Sequence, residues 1–354
     1  MNNARGRKVA TIADVSRMAG VSPMTVSRVV NGASNVRAAT RELVNAAVAA
    51  LNYTPNQAAR HLAGGQLTRI GVLYSNPSAS YLNELLVGLL NKASLAHVQL
   101  VVQKCEADED AQEVIEELLA NGIDGLILPP PFCDSHAIID LITSHGVPAV
   151  VVASGQPDPR LCAVSIDDRK AAFEMTRHLL SLGHQRVGFI TGHPNQTASA
   201  RRLAGFREAM AHAGLAVDER LVVQGLFNYR SGLDAAEILL AQDPRPTAVF
   251  ASNDDMAAAT VAIAHRMGLD VPSDLTVAGF DDAPLATTIW PELSTVRQPI
   301  KDMAETAVDM LVREIRTPRD GAGEQLLMDF TLVRRQSDAA PRARPSALPR
   351  RSSS

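Results

Sequence analysis

An α/β body of two doubly wound lobes behind a small helical head is the fold class this chain predicts, and three observations predict it. From Arg69 onward, short apolar runs alternate with amphipathic helical patterns, which is the grammar of parallel sheets covered on both faces. Nine such runs are too many for one compact sheet, and 354 residues exceed what a single core organises. Between Ala10 and Gly32, two short helical patterns meet at a glycine. Finally, charge is divided along the chain: residues 1–69 hold nine Lys or Arg against two acids, whereas residues 70–333 hold 19 against 35. A basic head on an acidic body is the footprint of a phosphate-binding module beside a domain that repels polyanions.

The head follows in order. Residues 1–8 are polar, basic and without periodicity, an arm whose arginines can touch phosphate. Thr11 precedes Ile12, Val15, Met18 and Ala19, so its hydroxyl can cap a first helix that carries Asp14 at its positive end. Gly20 stops that helix and Val21 anchors the turn. Ser22 caps a second helix with Pro23 at its first position, where the missing N–H costs nothing. Val26, Val29 and Val30 face the first helix, while Ser22, Met24, Thr25, Ser27, Arg28 and Asn31 stay outside. This is helix-turn-helix spacing, although a surface helical hairpin reads the same way in isolation. Thr40 is placed to cap a third helix through Leu51. The head then covers residues 8–54.

Residues 55–68 open with Pro55, reach Gly64-Gly65, and hold a helix too short to stand alone. The body, 69–335, has strands at 70–75, 98–104, 125–129, 148–154, 163–167, 186–192, 221–225, 247–252 and 275–281, with helices such as 109–120, 169–182 and 254–267 between them. Crossovers between lobes are expected near Cys162–Asp167 and near Ser294–Gln298. A helix at 299–316 and one strand around 326–332 would complete the first lobe. Residues 336–354, rich in Pro, Ser, Ala and Arg, are expected to be disordered.

Several function classes find no support. No apolar run reaches membrane length, and the N-terminus leads into a polar helix rather than a secretory core. Cys105, Cys133 and Cys162 are odd in number and lack C-x-x-C spacing, which reads as buried reduced thiols in a reducing compartment such as bacterial cytoplasm. Nine scattered histidines form no metal-ligand pair, and no nucleophile elbow or phosphate loop is present, so no catalytic residue, metal or cofactor is assigned. The acid pairs Asp167-Asp168, Asp254-Asp255 and Asp281-Asp282 read as solvated loop acids, because adjacent residues at a strand end point apart. His184 reads as a structural residue.

TIADVSRMAGVSPMTVSRVVNG, TRELVNAAVAALNYTPNQAARHLAGG and, later, RLAGF, SNDDMA and GFDD resemble the LacI/GalR family of bacterial transcription regulators, over about Lys8 to Arg335. The resemblance implies lobes of the periplasmic-binding-protein type. It implies a homodimer on a near-palindromic double-stranded operator, and no leucine heptad follows that would build tetramers. Residues 55–68 become a hinge helix that orders on DNA, with Leu62 wedging a minor-groove step and Ala59 and Ala63 letting two copies approach. DNA contact is likewise implied for Thr11, Asn35 and Asn56 beside Ser22, Met24, Thr25, Ser27, Arg28 and Asn31.

In open α/β lobes, ligands sit beyond the carboxyl ends of the strands, which singles out Ser75, Tyr81 and Gln298. The family motifs add Arg202, Phe227, Asn253 and Asp281 as effector contacts, the alternative for each being a strand-end cap or turn residue. An aromatic face with Asn, Asp and Arg suits a sugar. Pro129-Pro130-Pro131 and Ala153 stand where sugar-binding relatives often carry polar side chains, so the pocket is expected to differ in shape. The alternative is a cytoplasmic sugar-binding or sugar-processing protein without a DNA role.

Overall fold

The computed structural model describes residues 11–30, 36–51, 67–75, 78–105, 111–319 and 321–342, and the chain forms two compact units, Met1–Leu67 and Thr68–Ser354.

In the first unit, α1 (Ile12–Ala19), α2 (Pro23–Val30) and α3 (Ala38–Ala50) enclose a core of Val15, Val26, Val29, Val44 and Ala47. α1 stops because Gly20 adopts φ +64°, and its N–H returns to the Ser16 carbonyl. The expected cap at Ser22 forms, its hydroxyl accepting from the Thr25 N–H at 3.2 Å. The expected cap at Thr11 forms as a capping box with Asp14, whose carboxylate accepts the Thr11 N–H at 3.0 Å. One capping expectation is corrected. α3 begins at Ala38, which places Thr40 inside the first turn instead of before it.

The second unit has two six-stranded sheets. In lobe 1 the order is β11 (Gln325–Met328), β5 (Cys162–Ile166), β4 (Ala149–Val152), β3 (Gly125–Leu128), β1 (Arg69–Tyr74) and β2 (Gln99–Lys104), all parallel. In lobe 2 it is β12 (Thr331–Val333), β10 (Ser294–Arg297), β9 (Thr276–Asp281), β8 (Ala248–Ala251), β6 (Val187–Thr191) and β7 (Val222–Gln224), with only β12 antiparallel. The central strands are apolar and buried throughout, as strands covered on both faces must be. Helices α4 (Ala79–Ala96), α5 (Ala111–Ala120), α6 (His136–Ser144) and α12 (Ile300–Arg316) belong to lobe 1. Helices α7 (Asp168–Ser181), α8 (Thr197–His212), α9 (Tyr229–Leu240), α10 (Asp254–Arg266) and the short α11 (Leu285–Thr288) belong to lobe 2.

The chain passes between lobes three times rather than twice. The expected single strand at 326–332 is interrupted at Asp329-Phe330: β11 completes lobe 1, and β12 crosses to pair antiparallel with β10 in lobe 2. The expectation of disorder from residue 336 fails for Gln336–Arg342. Ser337 and Val277 exchange backbone and hydroxyl hydrogen bonds, the Asp338 carboxylate meets His178 at 2.8 Å, and His184 bridges Thr247 and the Ala339 carbonyl. This strip is held by hydrogen bonds to a buried strand and not by an apolar face, so composition gave no sign of it. His184 is structural, as expected.

Candidate functional site

Asn253, Asp281 and Gln298 stand at the carboxyl ends of β8, β9 and β10 and line the cleft between the lobes, and local backbone geometry aims the side chains around them. Gly205 lets α8 lie so close to α7 that a Cβ there would fall 2.1 Å from the Arg169 carbonyl. That approach brings Arg202 of α8 to Asp168 at the start of α7. The Arg202 guanidinium donates from Nε to Asp168 at 2.7 Å and from Nη1 to the Ser252 carbonyl at 2.6 Å. It also stacks 3.6 Å from the Phe280 ring centroid and stands 3.9 Å from Asp281.

Phe227 has φ +60° and its ring rests on Gly192, where a Cβ would meet the ring at 1.8 Å. Asn253 holds that conformation: its Nδ2 donates to the Phe227 carbonyl at 2.9 Å while its Oδ1 caps α10 at Met256. Ala153 (φ 58°), Asp281 (φ 110°) and Asp282 (φ 56°) are also left-handed. Non-glycine residues in that region store about 1–3 kcal/mol each, and here they gather at the strand ends that face one cleft.

The sequence expectations meet in this place with exceptions. Tyr81, Arg202, Phe227, Asn253, Asp281 and Gln298 line one cavity. Ser75 is not among the lining residues, and Ser78, the N-cap of α4, takes its place. Pro130 and Ala153 form part of the lobe 1 wall, and Gln196 and Ala198 join from lobe 2. The free volume is only about 30 Å³, room for about one water. Cross-lobe hydrogen bonds account for this closure. Ser78 Oγ donates to Asp255 at 2.6 Å, and Asp134 accepts from both the N–H and the hydroxyl of Thr197 at 2.7 Å while also accepting from Ser154. Ser78, Asp134 and Asp168 escaped the sequence reading because none ends a strand. Asp168 was within reach, since Asp167 caps α7 and so turns its neighbour inward.

The acid pairs are corrected outright. Asp168, Asp254 and Asp281 are 3%, 1% and 5% exposed, so one member of each pair is buried rather than solvated. Burial pushes the Asp281 carboxyl up to about 7 despite the opposing pull of Arg202 and of Gln298, which donates to it at 2.7 Å. Desolvation likewise raises Asp168 against its pairing with Arg202, raises Asp254 well above the carboxylate range, and raises Asp255. Desolvation, reinforced by Asp281, holds the Tyr81 phenol protonated. Three buried oxygens at or beside the cleft, Tyr81 Oη, Gln298 Oε1 and Ser252 Oγ, have no hydrogen-bond partner. A cleft lined by polar groups beside Pro130, Ala153, Ala198 and Phe227, with buried polar atoms left unsatisfied, can receive a small hydrogen-bonding molecule.

In the head, Ser22, Met24 and Arg28 are exposed on α2, Thr25 and Ser27 are half-buried, and Val26 is fully buried on the opposite face. Met24 is 66% exposed, a large apolar side chain left in solvent. Thr11 is exposed at the start of α1. Asn31, Asn35, Asn56, Ala59, Leu62 and Ala63, and with them the expected hinge helix, lie outside the described residues. Among the described residues no group of His, Cys, Asp and Glu could hold a metal, no helix is long and apolar enough to cross a membrane, and the three cysteines are buried thiols.

Comparison with known proteins gives two family matches: residues 11–56 to bacterial regulatory proteins of the lacI family, and residues 176–337 to a periplasmic binding protein-like domain. Catabolite control protein A of Priestia megaterium is 34% identical over 305 residues, 86% of this chain and 92% of that protein. Among solved structures, the lac repressor dimer bound to operator and the anti-inducer ONPF aligns with a TM-score of 0.76 at 31% identity, covering 94% of this chain and 100% of that one. The transcriptional regulator CelR in complex with cellobiose aligns with a TM-score of 0.72 at 29% identity, covering 93% and 99%.

Proposed function

This chain belongs to the LacI family of bacterial regulatory proteins, and from that premise we propose that it is a dimeric repressor whose grip on a near-palindromic operator is set by a sugar-like effector in the cleft of its body. The observation that carries the reading is the pairing of an exposed Arg28 and Met24 on a helix-turn-helix with a cleft of strained, half-satisfied residues in an acidic body. Arg28 is the residue for bidentate recognition of guanine, and Met24 offers an apolar contact such as a thymine methyl. Ser22, Thr25 and Ser27 hold phosphates, and Thr11 does so from α1. Asn31, Asn35 and Asn56 join them, and Leu62, with Ala59 and Ala63, forms the minor-groove wedge that the family resemblance implies. In the cleft, Arg202, Asp281, Gln298 and Tyr81 meet the ligand, Phe227 supplies the stacking face, and Asn253 holds Phe227 in place. An effector that favours one lobe arrangement over another sets the grip on the operator.

The test is selection of DNA from a random pool by the full chain, followed by anisotropy titrations. A near-palindromic consensus and a steep salt dependence are expected. Arg28→Ala should lower discrimination between the selected and a scrambled site by about 1–3 kcal/mol. Unchanged discrimination in that variant would remove Arg28 from the reading helix.

A further inference from the structure

We propose that Arg335, which is not among the residues lining the cleft, is a positioning residue for it: from outside, it holds the left-handed turn at 281–282 and so sets where the Asp281 carboxyl points. The proposal rests on the effector reading for its consequence, because a residue that aims Asp281 governs ligand affinity without touching the ligand.

Asp281 (φ 110°) and Asp282 (φ 56°) are consecutive non-glycine residues in the left-handed region, where backbone persists only if the surrounding contacts over-determine it. On the cleft side, Asp281 accepts from Gln298 Nε2 at 2.7 Å and stands 3.9 Å from Arg202, with Asp168 and Asp255 acting on it as like charges. The N–H of Ala283, next in the chain, donates to Asp254 at 2.8 Å. On the outer side, the Asp282 carboxylate is 6% exposed and meets two guanidiniums: Arg297 donates from Nε to Oδ2 at 2.6 Å, and Arg335 Nη2 stands 2.6 Å from Oδ1. The two neighbouring acids are thus pulled to opposite sides of one turn.

The two guanidiniums are not equivalent. Arg297, at the end of β10, is 56% exposed, so water and salt screen its pairing. Arg335 is 12% exposed and is itself fixed. Its Nη1 donates to the Leu293 carbonyl at 2.8 Å, and its backbone N–H donates to Ser294 Oγ at 2.8 Å. It also opens the strip that docks on lobe 2 through Ser337 and Asp338. A buried donor on a fixed backbone can oppose strain that an exposed side chain cannot. Loss of Arg335 leaves Asp282 with one exposed partner, the turn relaxes toward ordinary backbone, and the Asp281 carboxyl moves from its buried place toward water.

Asp281 reports its own position, since the burial that pushes its carboxyl up to about 7 is lost when that carboxyl reaches water. NMR of the side-chain carboxyl carbons in the full chain, labelled at aspartate, reads this, the Asp281 signal being the one that Asp281→Asn removes. Wild type should titrate at about 7, and Arg335→Met should lower that midpoint by about one pH unit or more. Adding Asp282→Gly to Arg335→Met should return the midpoint to within about 0.3 of a unit of wild type, because glycine takes a left-handed turn without a prop. A residue that only stabilised lobe 2 would not be rescued by that second change. If Arg335→Met does not fold, Arg335→Lys, which keeps the charge but not the planar fork, should show a smaller fall and the same rescue. A midpoint unchanged or raised in the folded Arg335 variant overturns the proposal, and so does a lowered midpoint that Asp282→Gly leaves low. The titration is read on the chain alone, so its result is independent of whether a sugar occupies the cleft.

Discussion

Replacing Arg202 by alanine should damage the fold of lobe 2 before it damages ligand binding. Arg202 and Asp168 are 5% and 3% exposed and meet at 2.7 Å, so truncation leaves a carboxylate buried without its partner. Breaking a buried pair from one side costs about 3–5 kcal/mol. Loss of the donor to the Ser252 carbonyl and of the stack on Phe280 acts in the same direction, although these terms share one side chain and do not add. Protonation of Asp168, whose carboxyl burial already raises, limits the loss from above. The net of about 3–5 kcal/mol is a large part of a typical stability of about 5–15 kcal/mol. For a unit of this size it corresponds to a drop in Tm of roughly 6–20 °C.

Differential scanning calorimetry of the full chain reads this directly, with urea titration as the equilibrium check. The double variant Arg202→Leu with Asp168→Asn removes both charges and should recover at least half of the loss, giving a coupling of about 2 kcal/mol or more. If Arg202→Ala melted within about 2 °C of wild type, the ion pair would be no structural element and the argument from burial would be wrong.

Three further outcomes are expected. Asp281 titrates near 7 in the folded chain against about 3.9 unfolded, so the folded state binds the extra proton between those values and unfolding free energy falls as pH rises through that window, by at most about 1.4 kcal/mol per pH unit; urea titrations from pH 4.5 to 8 should show Asp281→Asn with a shallower slope, and an unchanged slope refutes the assignment. Val26 is fully buried in a head core of five small residues, so Val26→Ala should cost about 1.5–3 kcal/mol and lower the melting of the first unit while the second unit melts as before, which calorimetry resolves. Asp134→Ala removes the two charge-assisted acceptor contacts that tie Thr197 of α8 to lobe 1, and small-angle scattering of the variant should give a larger radius of gyration than wild type, whereas identical curves would mean the clasp does not hold the lobes together.

Much of the fold was legible because its strands are short apolar runs and its helices carry one apolar stripe, so period alone separates them. All nine expected strands exist, shifted at their ends by a residue or two. What escaped was held by polar bonds. The strip Gln336–Arg342 docks through Ser337, Asp338 and Ala339, and β12 is three residues long, so neither leaves a periodic trace. In the cleft, residue type was legible but employment was not. Asn253 reads as a ligand contact, yet both ends of its amide are taken by the protein.

The acids show why employment is hard to read. Alternation along a strand separates neighbouring side chains, and from that one expects both members of an acid pair to reach solvent. At each of these strand ends the chain instead turns immediately into a helix or a left-handed residue. In 167–168 the first acid becomes a cap and the second is drawn against Arg202; in 254–255 the first bonds to Thr295 and the Ala283 N–H and the second reaches across to Ser78. The pair at 281–282 divides its charge similarly: Asp281 stays by Gln298 inside, while Asp282 is taken outward by Arg297 and Arg335. In the first and third pairs one acid thus serves the scaffold while its neighbour stands beside Arg202, whereas in 254–255 both are committed, one within lobe 2 and one to the lobe contact.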